Sequence, residues 1–366
     1  MYMSIFFVCF SIRPGGVAKV LSLLVSKLLD MGINVSVITD KEYDLFAREI
    51  FAKDTDLIFR PKEKKKIFFL REFLRKKKAA NDVFFVGVQF NNLIWLSLAG
   101  IFLARRPPVI SWEHSSPAVS IRKESPLMAF PIMALRFFCI GLSDACFFVS
   151  RGAMRNARYI SPFWVKKFFT PNAVYCSTSS SYSCFHDRLK FDTPFKIVSV
   201  GRVSREKGLD IALLALAEVN FDWEYTIVGD GPELSSLQAL VAENEAFTQK
   251  VNFLGWVEDP RAVMMNADVV LLASYYEGMP TVLIEACLLN IPIISSDCVS
   301  GPSEIITPYN NGLLFKVGNP KDLTDKLNFF FERRNEFSNS PEYVKEYEAS
   351  FAAEKFVRNL QLAVSQ

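Results

Sequence analysis

Short apolar runs alternate along the chain with stretches in which apolar residues recur every three to four positions. The runs read as buried parallel strands and the stretches as helices. In the first half the runs are Ile5 to Phe10, Val35 to Thr39, Val83 to Val88, Val109 to Trp112 and Ala145 to Ser150. Between the first two, Val20, Leu23, Leu24, Leu28 and Leu29 have helical spacing, opened by Gly15-Gly16 and stopped by Gly32. A polar, serine-rich stretch that includes Ser177 to Ser181 then breaks the pattern. It resumes with Phe195 to Val200, Tyr225 to Val228, Val251 to Leu254, Val269 to Ala273 and Ile291 to Ser295. Two successive series of βα units predict an α/β protein of two Rossmann-like, doubly wound parallel-sheet domains facing across a cleft. The predicted boundaries are 1–172 for the first domain, 173–194 for a linker and 195–345 for the second domain. Residues 346–366 read as a terminal helix free to pack back on the first domain.

Bulk composition narrows the classes. A chain of 366 residues has room for two domains, and 50% hydrophobic with 22% charged residues is globular. A net charge of +3 carries no global nucleic-acid signature. Seven cysteines without a Cys-x-x-Cys pair, and two histidines, argue against a zinc site or a disulfide framework and for thiols in a reducing cytosol. Tyr2 to Phe10 lacks a basic start and reads as a first strand, not a signal peptide. Leu93 to Ala104 is too short to span a bilayer, and Leu127 to Ser150 is broken by Pro131, Arg136 and Asp144. The expectation is a cytoplasmic protein, soluble or peripheral on the inner membrane. Residues 60–78 carry ten cations against Glu63 and Glu72, interleaved with Phe68, Phe69 and Phe73. Together with the apolar stretch 127–142, this segment suits an anionic membrane surface or, alternatively, a solvated helix at a domain edge.

The candidate chemistry gathers at strand ends. Ser274 to Ala286 follows an apolar run and precedes a helix, with Gly278 for the turn and Pro280 suited to a first helical position. Glu277 falls on the loop and Glu285 about a turn into the helix, beside the free backbone N–H groups near Met279 to Thr281. Two carboxylate acceptors next to free amides suit a polyhydroxylated, phosphate-bearing ligand. They equally describe a capped surface helix with two solvated glutamates. After Phe195 to Val200, Gly201-Arg202 and Glu206-Lys207-Gly208 deliver one arginine and one lysine to a single loop, as a diphosphate clamp requires. His114, at the end of Val109 to Trp112, is placed for ligand contact or for capping its loop. Asp54-Thr55-Asp56 has the form of a metal-binding Asp-x-Asp, but lies off any predicted strand end.

Taken in order, Gly15-Gly16, Glu113-His114, Pro171-Asn172, Gly201-Arg202, Glu206-Lys207-Gly208, Gly229-Asp230-Gly231-Pro232, Phe253-Leu254-Gly255 and Glu277-x7-Glu285 resemble the family-4 retaining glycosyltransferases. The match covers nearly the whole chain and is most specific in the second half. The resemblance implies the GT-B fold, an N-terminal acceptor-binding domain and a C-terminal nucleotide-sugar-binding domain. It implies that Arg202 and Lys207, with Gly201, hold the donor diphosphate, and that Glu285 takes the ribose hydroxyls. Glu277 and the loop Gly278-Met279-Pro280-Thr281, through its free N–H groups, would hold the sugar, and Trp256-Val257 would meet the base. Gly15 and Gly16 would approach the phosphates, Asn172 would join the donor site and His114 would face the reacting sugar.

The activity so implied is metal-independent transfer of a hexose or N-acetylhexosamine, with no cofactor. The donor would be a UDP-sugar, and the acceptor a glycan or polyprenyl-linked glycan of bacterial-type surface polysaccharide or lipopolysaccharide assembly. No carboxylate nucleophile for double displacement stands out, so front-face transfer with retention is expected on family analogy. A sugar-nucleotide epimerase of the same fold and an inactive sugar-nucleotide-binding scaffold are the competing readings. Ala18-Lys19 stands where family members often carry Glu-Arg, and Asn290 stands where glycine is usual before Ile291-Pro292.

Overall fold

The structure is a computed structural model that describes residues 3–77, 82–101, 103, 105–115, 129–157, 161–174 and 194–365. The chain divides into two compact units, Met1–Tyr175 with Glu346–Gln366, and Cys176–Lys345. The expected linker, 173–194, lies almost wholly outside the described residues, as do Lys78 and residues 127 and 128 of the two membrane-candidate segments.

The first unit is built on seven parallel strands: β1 (Ser4–Val8), β2 (Asn34–Asp40), β3 (Asp56–Arg60), β4 (Val83–Val88), β5 (Val109–Glu113), β6 (Ala145–Phe148) and β7 (Lys166–Phe169). Their order across the sheet is β3-β2-β1-β4-β5-β6-β7. The second unit has β8 (Phe195–Val200), β9 (Trp223–Val228), β10 (Val251–Gly255), β11 (Val269–Leu272), β12 (Ile293–Ser296) and β13 (Gly312–Phe315). Their order is β10-β9-β8-β11-β12-β13, again all parallel. Each sheet therefore reverses its winding once, between β1 and β4 in the first unit and between β8 and β11 in the second. Doubly wound sheets bind ligands at that reversal, outside the carboxyl ends of the strands. The strands read as near-continuous apolar runs because both sheet faces are covered: β5 is buried throughout, and β11 likewise.

Three expectations change. Asp56–Arg60 is a strand, and Asp56 opens it at the amino end, where its carboxylate accepts from Ser36 Oγ at 2.8 Å. The Asp-x-Asp thus sits at the end of the sheet away from ligand chemistry. Lys166–Phe169 is also a strand, the edge of the first sheet, which the apolar runs did not mark. Residues 60–78 are not one amphipathic segment. Arg60 closes β3 and pairs with Asp40, and Lys66 pairs with Asp40 and lies 4.8 Å from the Phe10 ring centroid. Helix Lys66–Lys76 turns Phe69, Leu70 and Leu74 into the core, so most of its apolar face is already occupied.

The last helix, Ala349–Val364, belongs to the first unit despite its place in the sequence. It packs on helix Gly16–Asp30, and Phe356 is fully buried among Phe7, Trp112 and Phe147, with ring centroids 5.3 to 5.6 Å away.

Candidate functional site

In the second unit, the carboxyl ends of β8 and β11 flank the winding reversal. A small pocket opens there, lined among others by Gly201, Arg202, Lys207, Leu272 and Ala273. Glycine is required by close packing of backbone on backbone. At Gly208, φ is +58°, and a Cβ would overlap the carbonyl oxygen of Ala273. At Gly229, φ is +139°, and a Cβ would overlap the carbonyl oxygen of Gly201. The loops after β8, β9 and β11 are thus layered without side chains between them, which brings the short turn Arg205–Lys207 over the end of β11.

The polar centre of this layer is Glu277. Its Oε1 accepts from Lys207 Nζ at 2.6 Å and from Ser274 Oγ at 2.7 Å. Its backbone carbonyl accepts from Ser300 Oγ at 2.8 Å. Its Oε2 has no protein partner among the described residues, so a ligand hydroxyl can donate to it. Burial alone would pull the Lys207 ammonium down. Glu277, with help from Glu206, outweighs that and raises it above the usual lysine value, so Lys207 stays charged. Lys207 is therefore an ion-paired cation. Arg202 is exposed, its guanidinium with no ion pair or hydrogen bond among the described residues, and is the cation left for an anion.

Pro280 stands one position before helix Thr281–Leu288 rather than inside it. The amides of Gly278, Met279 and Thr281 find no acceptor among the described residues. Gly278, Met279 and Pro280 are buried, so these donors are fixed in place. What braces the loop is Gly301, at φ +97°, where a Cβ would come within 2.5 Å of Pro280 Cδ. Ser274, Ser300 and Gly301 were given no role from the sequence; their signal is a small residue two or more positions past a strand end, which is common to many loops. Glu285 lies on the same helix and is buried, with 7% of its surface exposed. Trp256, 64% exposed, and Val257 follow Gly255 at the end of β10. The structure therefore gathers Arg202, Lys207 and Glu277, continues through the Gly278–Thr281 amides to Glu285, and sets Trp256 on a separate strand end.

The other candidates lie in the first unit. Gly15, at φ +147°, precedes helix Gly16–Asp30 with no side-chain cap. His114 follows β5 with its ring 4.3 Å from that of Trp112 and its Nε2 buried without a partner. Burial pulls its pKa from 6.5 down to about 3, so the imidazole is neutral. Asn172, past β7, is buried and its Oδ1 is also without a partner. Buried polar atoms are nearly always paired, and these two are among several that find no partner among the described residues. Glu113, immediately before His114, forms a buried ion pair with Arg136, whose guanidinium stacks 4.2 Å from the Phe90 ring centroid. Gln89, at the reversal point of this sheet, has φ 66° and ψ 157°, a region that glycine alone occupies without strain. No sequence pattern announced this strained position, which stands at the carboxyl end of β4. Among the described residues, no group of three His, Cys, Asp or Glu side chains could hold a metal ion.

Comparison with known proteins matches this division. Residues 185–350 match the glycosyl transferases group 1 family, and residues 14–160 match glycosyltransferase family 4. A lipopolysaccharide 1,6-galactosyltransferase of Salmonella typhimurium is 36% identical over 143 residues, 37% of this chain and 40% of that protein. A Campylobacter jejuni enzyme is 26% identical over 314 residues, 80% of this chain and 78% of its own. It is a GalNAc-alpha-(1->4)-GalNAc-alpha-(1->3)-diNAcBac-PP-undecaprenol alpha-1,4-N-acetyl-D-galactosaminyltransferase. The crystal structure of Anabaena HepE in complex with UDP-glucose shares the fold, with a TM-score of 0.78 at 17% identity over 99% of this chain and 100% of that one. With both units matched in order, and with the GT-B architecture in its structural relatives, the chain belongs to the group 1, family 4 glycosyltransferases.

Proposed function

We propose that this glycosyltransferase moves a hexose or N-acetylhexosamine from a UDP-sugar to a glycan or polyprenyl-linked acceptor of bacterial surface polysaccharide or lipopolysaccharide assembly. The observation that carries the donor reading is Glu277, held on one oxygen by Lys207 and Ser274 with the other oxygen open, beside the free cation Arg202 and the unsatisfied Gly278–Thr281 amides. In this reading Arg202 and Lys207 neutralise the diphosphate as it leaves, and no metal is needed. Glu277 and the amides orient the sugar, Glu285 accepts from the ribose, and Trp256 and Val257 take the base. The HepE structure with UDP-glucose, and the galactosyl- and N-acetylgalactosaminyltransferase relatives, support UDP and a hexose-type sugar. The first unit takes the acceptor. Gly15, Gly16 and Asn172 contribute to donor contacts, and neutral His114 acts at the reacting sugar as a hydrogen-bonding group. Retention of configuration follows the family pattern, with the protein working from the cytoplasm or the inner membrane's cytoplasmic face.

A thermal-shift screen tests this directly. UDP and UDP-sugars should raise Tm in a concentration-dependent way, while GDP and ADP should not. Arg202→Ala and Lys207→Ala should each remove most of the shift. A shift by GDP or ADP in place of UDP would overturn the base assignment, and a shift that survives both substitutions would overturn the site.

A further inference from the structure

Helix Ala129–Gly141 is packed the wrong way round for an ordinary surface helix. Among its residues only Arg136, Cys139 and Ile140 are buried. Phe130, Leu135, Phe137 and Phe138 face out, Phe130 with 83% of its surface exposed. Phe130, Ala134, Phe137 and Gly141 follow one helical stripe, and the stripe continues into the turn after Ser161. A Cβ on Gly141 would lie 3.2 Å from Pro162 and 3.6 Å from the Trp164 ring. The Trp164 indole donates to the Gly141 carbonyl at 3.4 Å, and its ring meets Phe137 edge-on at 6.2 Å. Phe163, beside it, is 91% exposed. Lys167 Nζ donates to the carbonyls of Pro162 and Val165, which pins the turn with both aromatic rings outward. An apolar surface of this kind marks an interaction site.

Its charge identifies the partner. From Ala129 to Leu142 the sequence has no carboxylate, and from Arg151 to Phe169 it has five cations and none. Arg155 and Arg105 are exposed, whereas Arg106, at the Leu142 carbonyl, pairs with Asp144 and Arg151 pairs with Glu346. A symmetric contact with a second copy would set this cationic rim against itself. Protruding phenylalanine and tryptophan with cations around them suit the headgroup boundary of an anionic bilayer. We infer that helix Ala129–Gly141 and the turn Pro162–Trp164 form one docking surface for an anionic lipid bilayer, entered by Phe130, Phe137, Phe138, Phe163 and Trp164. The inference rests on the proposed lipid-linked acceptor for its purpose, and on the surface alone for its geometry. It also moves the membrane contact away from residues 60–78.

Cosedimentation of the full chain with vesicles tests it without donor or acceptor. The wild type should bind vesicles of phosphatidylcholine with phosphatidylglycerol, bind phosphatidylcholine alone less, and lose affinity as salt is added. Phe163→Ser with Trp164→Ser should weaken partitioning at least about tenfold, given the apolar area withdrawn. Phe163→Ser alone, at a 91% exposed side chain whose ring contact is with the neighbouring Trp164, should weaken it measurably with the fold intact. Phe68→Ser, exposed on helix Lys66–Lys76, should leave it unchanged. Wild-type protein that stays with the supernatant, or a double variant that binds as the wild type does, would overturn the surface. So would a dimer in sedimentation velocity that Phe130→Ser dissociates while vesicles bind neither form. The UDP thermal shift is read separately, so failure of the donor reading is distinguishable from failure of this one.

Discussion

Glu277 is useful because its two oxygens have different surroundings. Lys207 and Ser274 hold Oε1, and that fixes where Oε2 points. Ser274→Ala should therefore lower kcat about tenfold with the fold unchanged, because one anchor of the carboxylate is lost while the group itself remains. Glu277→Ala removes the group and should cost about a hundredfold or more in kcat. That change should also cost stability, about 1–3 kcal/mol, because it leaves the largely buried Lys207 without its ion-pair partner. Steady-state kinetics with any accepted donor, beside thermal melts, separates the two effects. His114 makes a pH prediction of opposite character. Its folded pKa is depressed to about 3 from 6.5, so between those values the unfolded chain binds the extra proton. Stability then rises with pH across that window and loses this dependence above it. His114→Gln should flatten the fall in Tm on acidification below pH 6.5. A variant that melts with the wild-type slope at each pH would contradict the burial of a neutral imidazole.

Elements were legible where apolar runs were long and poorly legible where they were short. β1, β2, β4, β5 and β8 declare themselves as runs bounded by glycine or polar residues, and the Glu277 loop as a strand-to-helix junction. Asp56–Arg60 and Lys166–Phe169 are edge strands, half-buried and charged at their ends, so nothing in their composition separates them from loops. The glycines of Gly201-Arg202 and Gly229-Asp230-Gly231 were visible as motifs. Their reason, layering of one loop backbone on another, is a tertiary fact. The strained position of Gln89 had no signal at all, because any residue type can precede a helix. Two substitutions test these loop geometries with opposite signs. Gly208→Ala should destabilise the second unit by about 1–3 kcal/mol, through both its left-handed φ and its overlap with Ala273. Gln89→Gly should stabilise the first unit by about 1 kcal/mol or more through relief of strain. Denaturant melts decide both, and a destabilised Gln89→Gly would mean that the side chain contributes more than the strain costs.

At the scale of the molecule, the chain completes its first unit with its last residues. Sequence order shows two βα series and a terminal helix; it does not show which series the helix serves, since an amphipathic helix fits either sheet. The answer lies in Phe356, whose ring fills the space between Phe7 of β1, Trp112 of β5 and Phe147 of β6. Asn359, one turn on, donates to Thr170 Oγ1 at 2.8 Å and to the Phe169 carbonyl, tying the helix to the end of β7. Phe356→Ala should therefore cost about 3–5 kcal/mol, as expected for a fully buried phenylalanine, and the cost should fall on one unit. Two-unit chains need not melt in one step, so calorimetry with and without UDP can assign it. On the proposed donor reading, the transition that UDP raises reports the second unit and should keep its midpoint in Phe356→Ala, whereas the UDP-insensitive transition should move down. A shift of the UDP-sensitive transition alone would place the terminal helix in the service of the donor-binding unit.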